Sequence, residues 1–294
     1  MTHVLNKIKR NKHQAMLFPA IALYSMFFLY PLIRGVGISM TNWNGYGEAQ
    51  FVGLANFIHF FSDKRAVGVV IHTLQFGLIT PLLMNILGMA LALLLDEKLK
   101  GRGVARVIVY LPSVISPLII GYVWLIVLRR DGGALHDIMR AVGLGSYFKQ
   151  WLSNPKTAMP LVILINVWQK VGSVMIIYLA GMQSIPSEIY EVARIDGANG
   201  VQKFIHVTLP LLIPSIKINI VTNIISCLCA MDSIVALTDG GPGYYTETLS
   251  LFIYRMTYGS NTGYATAVAL ILFVIVLIPT ILSYRFLGKR DVEM

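Results

Sequence analysis

The chain has 294 residues, 56% of them hydrophobic and 13% charged, with a mean hydropathy of +0.68. A soluble domain carries about 25% charged residues, so this composition excludes an ordinary water-solvated globule and indicates lipid as the solvent. The net charge of +10 does not point to nucleic acid, because the basic residues flank apolar runs and form no aromatic-interleaved patch.

Lys7, Lys9, Arg10 and Lys12 precede an apolar run over about 15–40, broken only by Arg34. The run is too long for a signal-peptide core and no Ala-x-Ala-like site follows it closely, so it reads as an uncleaved first span. Five more apolar segments follow, at about 68–95, 104–128, 159–181, 206–230 and 265–287. Each has about the 20 residues that an α-helix needs to cross the hydrocarbon, and lipid offers no partners to open backbone groups. The expected architecture is therefore an all-α membrane protein of six transmembrane helices, a single transmembrane domain over 1–294. Thirteen lysines and arginines fall in the two tails and in the connections near 96–106 and 182–205, against eight in the other connections. That bias predicts that both termini are cytoplasmic, although the 129–158 connection, with five basic residues, weakens it. Cys227 and Cys229 lie two apart in an apolar run. On a helix they point to different sides and cannot bridge each other, and no metal-ligand spacing is present.

Arg34, Lys170, Lys217 and Asp232 fall in or near spans. A charge at mid-membrane costs about 2.5–3.5 kcal/mol on insertion scales, so each needs a reason. Snorkelling to a headgroup region suffices for Arg34, Lys170 and Asp232 near outer ends, and Lys217 can reach inward. No Asp, Glu or His pair sits at mid-membrane to relay protons or hold sodium. No GxxxxGK[ST] loop is present to hold ATP. No set of acid, base and nucleophile converges, so the chain does not read as an enzyme, and no cofactor or metal is expected in it.

The stretch 185–214 holds the densest pattern. Pro186 and Ser187 signal a helix start, with Ser187 as N-cap and Glu188 in the first turn. Gly197 and Gly200 stop that helix and permit a sharp change of direction. A second short helix over about 201–209 then leads through Pro210 into the fifth span. Ile189, Val192, Ala193 and Ile195 give this knob apolar contacts, and Glu188, Glu191, Arg194 and Asp196 give it charge. Docking into a partner groove and an ordinary interfacial helix both fit the local pattern.

The same stretch resembles the EAA loop of bacterial ABC-import permeases, E-A-A-x3-G-x9-I-x-L-P, through Glu191-Val192-Ala193, Gly197, Val207, Leu209 and Pro210. Val192 and Val207 depart from the pattern conservatively. Phe51-Val52-Gly53-Leu54-Ala55-Asn56-Phe57 resembles the family's FVGLxNF run, and Leu111-Pro112-Ser113-Val114-Ile115-Ser116 its LPxxIS helix start. Leu237-Thr238-Asp239-Gly240-Gly241-Pro242 with Thr246-Glu247-Thr248 resembles its LTxGGPxxxTxT external loop. By local chemistry alone that last run is a turn.

The resemblance is to the MalF-like carbohydrate branch and implies a type I importer transmembrane domain. Its permease core would run over about 68–287, with a cytoplasmic coupling loop over 185–210. It implies that Glu188, Glu191, Ala193, Asp196, Gly197, Leu209 and Pro210 serve coupling to two copies of a separate ABC ATPase, which holds the ATP and Mg. It also implies a MalG-like second permease, an extracytoplasmic sugar-binding protein and a bacterial cytoplasmic membrane. Counting from Glu191, the matching substrate-path positions are Lys170, Ser173, Asn223, Ser226 and Cys227, with Trp168 or Tyr178 available to stack on a sugar. Packing between helices by small and polar residues fits the same five positions. A polyol, glycerol phosphate or another solute is the alternative cargo, and a secondary carrier the distant alternative function.

Overall fold

A computed structural model describes residues 17–96, 100–129, 131–147 and 149–288. The tail residues Lys7, Lys9, Arg10, Lys12, Lys289 and Arg290, together with Lys98 and Arg130, lie outside these. Thirteen helices are found among the described residues: α1 Leu17–Ser39, α2 Ala55–Ser62, α3 Lys64–Asp96, α4 Arg102–Val114, α5 Pro117–Val127, α6 Ala134–Ala141, α7 Pro155–Gln183, α8 Ser187–Ile195, α9 Gly200–Leu211, α10 Ile213–Leu228, α11 Asp232–Thr238, α12 Leu249–Tyr258 and α13 Thr262–Gly288. Helices α1, α3, α7 and α13 are each long and apolar enough to cross a membrane, and the bent pairs α4–α5 and α9–α10 bring the number of spans to six.

The expectation of six spans holds, but two of them are not continuous rods. The 104–128 segment breaks by 96° between Val114 and Pro117. Proline drives its preceding residue out of the helical region, and Ser116 accordingly has ψ 136°. The freed backbone is sealed by α7, where the Gln169 amide donates to the Ile115 carbonyl at 2.9 Å and the Ser113 hydroxyl donates to the Gln169 carbonyl at 2.7 Å. Such internal satisfaction is what lets a broken helix exist at membrane depth. The second bend, 66° between α9 and α10, falls at Leu212. Helix α9 runs on through Pro210 to Leu211, past its expected end near 209, over a π-helical stretch at Phe204–Thr208, the kind of local adjustment that accommodates a proline. The turn comes two residues later, ahead of Pro214.

The chain divides into two compact units, residues 1–62 with 253–271 and residues 63–252 with 272–294. In the first, the FVGLxNF-like run braces the end of α1. The Asn56 amide donates at 2.8 Å to the Ser39 carbonyl, which α1 leaves open at its C-terminus, and at 2.9 Å to the Thr41 carbonyl just beyond it. The Gly263 N–H donates to the Trp43 carbonyl at 2.7 Å. In the second unit α7 is central and more than half buried. Helices α3 and α4 pack on it, α10 packs on α3, and α11 packs on α5. Small residues set the approach: a Cβ on Gly172 would collide with the α4 backbone at Val109 and Tyr110, the close contact that small residues permit in membranes. Buried polar bonds cross the same interfaces. Asn85 donates to the Pro81 carbonyl within α3 and accepts from the Tyr178 hydroxyl at 2.5 Å.

Candidate functional site

The 185–211 segment forms the expected helix–turn–helix. Helix α8 starts at Ser187, one residue earlier than a Ser187 cap would give: Pro186 is the N-cap and makes no side-chain bond. Glu188 does sit in the first turn, where the helix dipole favours a carboxylate. The C-terminus is closed by backbone alone. Gly197 has φ +75°, its N–H donates to the Arg194 carbonyl at 3.1 Å, and the Ala198 N–H donates to the Ala193 carbonyl at 3.0 Å. This paired closure requires a left-handed residue, which glycine supplies without a Cβ penalty. Gly200 is not a second stop but the first residue of α9. Asn199 caps α9 in a reciprocal pair with Gln202, bonded at 2.8 and 2.9 Å. That capping box is the signal the sequence reading passed over.

Helix α8 turns Ala193 inward and packs Ile189 and Tyr190 on the core. The Tyr190 hydroxyl meets the Thr208 hydroxyl of α9 at 3.2 Å. Glu188, Glu191 and Asp196 are exposed. Val192 and Ile195, unlike Ile189 and Ala193, are exposed too, Ile195 to 85%. They lie on the outer face with the carboxylates. Leu209 is exposed and Pro210 half-buried on α9.

At the other end of α10, a cavity of about 570 Å³ opens among α3, α7, α10 and α11. Lys170, Ser173, Asn223, Ser226 and Cys227 all line it. Asn166, Lys170 and Ser173 follow at i, i+4 and i+7 along α7, the spacing of one helical face, and Asn223, Ser226 and Cys227 do the same work on α10. Thr222, Asp232, Ser233 and Ser250 complete the polar wall, while Phe76 and Met84 of α3 form an apolar one. Sequence reasoning missed Asn166, although its i−4 relation to Lys170 was there to be used. It read Asp232 as a charge near a span end, whereas the residue heads α11 and faces the cavity. Lys170 and Asp232 share the cavity, and no ion pair joins them among the described residues. Charges held inside a bundle in this way mark solute pathways.

Neither expected aromatic stacks over this cavity. Tyr178 is 1% exposed and spends its hydroxyl on Asn85. Trp168 packs edge-on against Trp124, centroids 5.5 Å apart, because two residues of helix carry it about 160° round α7 from Lys170. Cys227 is buried and Cys229 exposed, both as free thiols, and both line the cavity.

A cavity with polar stripes on α7 and α10 thus lies between spans, and an exposed knob precedes α10. A family model described as the binding-protein-dependent transport system inner membrane component matches residues 84–290. The chain belongs to this family. Among its relatives, a probable starch degradation products transport permease, AmyD of Thermoanaerobacterium thermosulfurigenes, is 32% identical over 95% of each chain. A multiple sugar-binding transport permease, MsmF of Streptococcus mutans, is 35% identical over 92% of this chain and 93% of its own length. Among solved structures, a bacterial alginate ABC transporter in complex with an alginate pentasaccharide-bound periplasmic protein matches at 26% identity and a TM-score of 0.81 over 95% of each chain. The protein is therefore an ABC importer permease of the type I, MalF-like kind, a multi-pass protein of the cytoplasmic membrane and a non-catalytic transmembrane component.

Proposed function

We propose that this permease carries a sugar or oligosaccharide, handed over by an extracytoplasmic binding protein, through the cavity between α7 and α10. The observation that carries the reading is the convergence of Lys170, Ser173, Asn223 and Ser226 on one cavity of about 570 Å³, a volume in the range of small-molecule sites. Amide and hydroxyl groups suit the many hydroxyls of a sugar. The names of AmyD and MsmF and the alginate complex support that solute class.

Both termini are cytoplasmic in this reading, 1–294 is one transmembrane domain with its core at about 68–287, and α8 with α9 projects into the cytosol. There Glu188, Glu191, Asp196 and Gly197, with the exposed Val192 and Ile195, seat in a groove of a separate ATPase that holds ATP and Mg. A second, MalG-like permease takes the other ATPase copy. Closure of the ATPases carries both knobs inward, the helices rotate as bodies and open the pathway toward the loaded binding protein, and hydrolysis resets them.

Two measurements test this. Uptake by the assembled importer should fall severalfold for Asn223→Leu and Ser226→Leu, since each removes hydrogen-bonding capacity from the wall; unchanged uptake of every solute would remove the site. A reporter fused after Met294 should be active only on the cytoplasmic side, and activity only outside would reverse the orientation.

A further inference from the structure

The loop between α11 and α12 presents an aromatic residue in an unusual way. Tyr244 has φ +70°, the left-handed region that a bulky residue rarely adopts and that persists only where its surroundings over-determine it. Here they do. The Tyr245 N–H donates to the Pro242 carbonyl at 3.0 Å, and the Glu247 N–H donates to the Tyr244 carbonyl at 3.1 Å. The Thr246 hydroxyl donates to the Gly241 carbonyl at 2.8 Å.

Beneath the ring lies Arg65, from the start of α3, its guanidinium 3.7 Å from the ring centroid. Arg65 is itself fixed by a two-pronged bond to Glu247, at 2.9 and 2.7 Å, and the Glu247 side chain is fully buried. A planar guanidinium clamped by a carboxylate makes a rigid support, and Tyr244 nevertheless remains 47% exposed. A tyrosine that merely anchors at the headgroup level requires neither the backbone conformation nor the support.

The loop is continuous with the cavity. The Thr248 hydroxyl donates to the carbonyl of Ala230, a cavity residue, and the Leu249 N–H donates to Thr73 on α3, one turn before Phe76. From Arg65 to Phe76, the cavity residue of α3 nearest to it in sequence, the helix rises about 16 Å.

We propose that Tyr244, backed by Arg65 and Glu247, is a second carbohydrate subsite, a stacking platform for one ring of an oligosaccharide whose other end reaches toward the cavity. This deepens the sugar reading above and rests on it. A pyranose ring presents a face of C–H groups, weakly positive at hydrogen, which suits the negative face of an aromatic ring. The Arg65 charge is met by Glu247, so the platform offers an aromatic surface and not an anion site. The rise of about 16 Å along α3 between Arg65 and Phe76 favours chain length, because a longer chain spans more of the way from the α3 wall of the cavity to Tyr244.

The test uses the complete importer with its binding protein in proteoliposomes, and maltose, maltotriose and maltohexaose as probes. Tyr244→Gly removes the ring and suits the backbone conformation; Tyr244→Asn, which also tolerates it, serves if the glycine variant fails to assemble. Tyr244→Phe keeps the ring. We expect uptake efficiency (kcat/KM) for maltohexaose to fall about fivefold in the ring-less variants, with maltose unaffected and Tyr244→Phe equal to wild type. An equal loss at every chain length would mark a docking contact for the binding protein and overturn the platform, and no loss at any length would mark an interfacial anchor and do the same. Absence of wild-type uptake for all three probes would overturn the sugar reading itself and this inference with it.

Discussion

The two loops at opposite ends of α10 are built on different plans. The knob of α8 and α9 is closed by its own backbone: a left-handed Gly197 ends one helix and the Asn199–Gln202 pair starts the next. Its carboxylates and Ile195 face outward. The loop over 239–248 has local bonds too, but distant side chains also tie it down. Glu247 holds Arg65 across 182 residues of sequence, and Thr73 of α3 holds the Leu249 N–H across 176. Locally closed structure can shift as a body without breaking long-range bonds, whereas structure sewn into two helices can move only with them. On the proposed coupling role, the contrast suits the knob to act as a lever and the other loop as a fixed frame.

Removing Arg65 should break the contrast most severely. Arg65→Ala leaves the Glu247 carboxylate without its principal cation in a fully buried position, a loss of about 3 kcal/mol or more. The expected outcome is a marked fall in thermal stability of the solubilised complex. The double variant Arg65→Met with Glu247→Met should recover most of it, since apolar replacement of a buried pair is often neutral. A stable Arg65→Ala complex would show that the loop is not held by this pair.

Gly197→Pro comes next. Proline cannot adopt φ +75° and has no N–H to give to the Arg194 carbonyl, so the closure of α8 is lost at a cost of about 2 kcal/mol. Because the knob is locally closed, the damage should stay there: the complex assembles, but solute no longer stimulates its ATPase. Normal stimulated hydrolysis and uptake would end the coupling role of this loop.

Gln169→Leu probes the frame more gently. It deletes the amide that donates to the Ile115 carbonyl at the α4–α5 break in a part-buried bond, a loss of about 1 kcal/mol. A modest stability loss with faster backbone hydrogen exchange over 113–118 is expected; unchanged exchange would mean that Pro117 alone sets the break.

Much of this was legible in the sequence, for physical reasons that differ by region. Six apolar runs and the spacing of Glu191, Gly197 and Pro210 are one-dimensional signals, so the spans and the knob could be located. The polar positions on α7 and α10 came from the family resemblance, by counting from Glu191, and all five line one cavity. What could not be read was anything decided by contact between distant segments. Tyr178 looks like a stacking residue until Asn85 of α3 takes its hydroxyl. The 104–128 run looks continuous because its apolar composition hides a break that depends on Gln169. Glu247 looks like one more polar loop residue, and only its pairing with Arg65 explains why an acid stands between two threonines in the external-loop motif.

The smallest expected effect sharpens the comparison most finely. Tyr190→Phe removes the hydroxyl that meets Thr208 at 3.2 Å, a side-chain tie between the two helices of the knob, while keeping the ring that packs on the core. A single partly buried neutral bond contributes about 1 kcal/mol at most, so global stability should barely change. If the knob transmits force as one body, loosening α8 from α9 should lower solute-stimulated hydrolysis by less than about threefold, with basal hydrolysis and assembly intact. If the capping pair at Asn199 and the closure at Gly197 already fix the angle between the two helices, the variant will match wild type in both assays. Coupling would then rest on the backbone of the turn, and Tyr190 would serve only to pack the core.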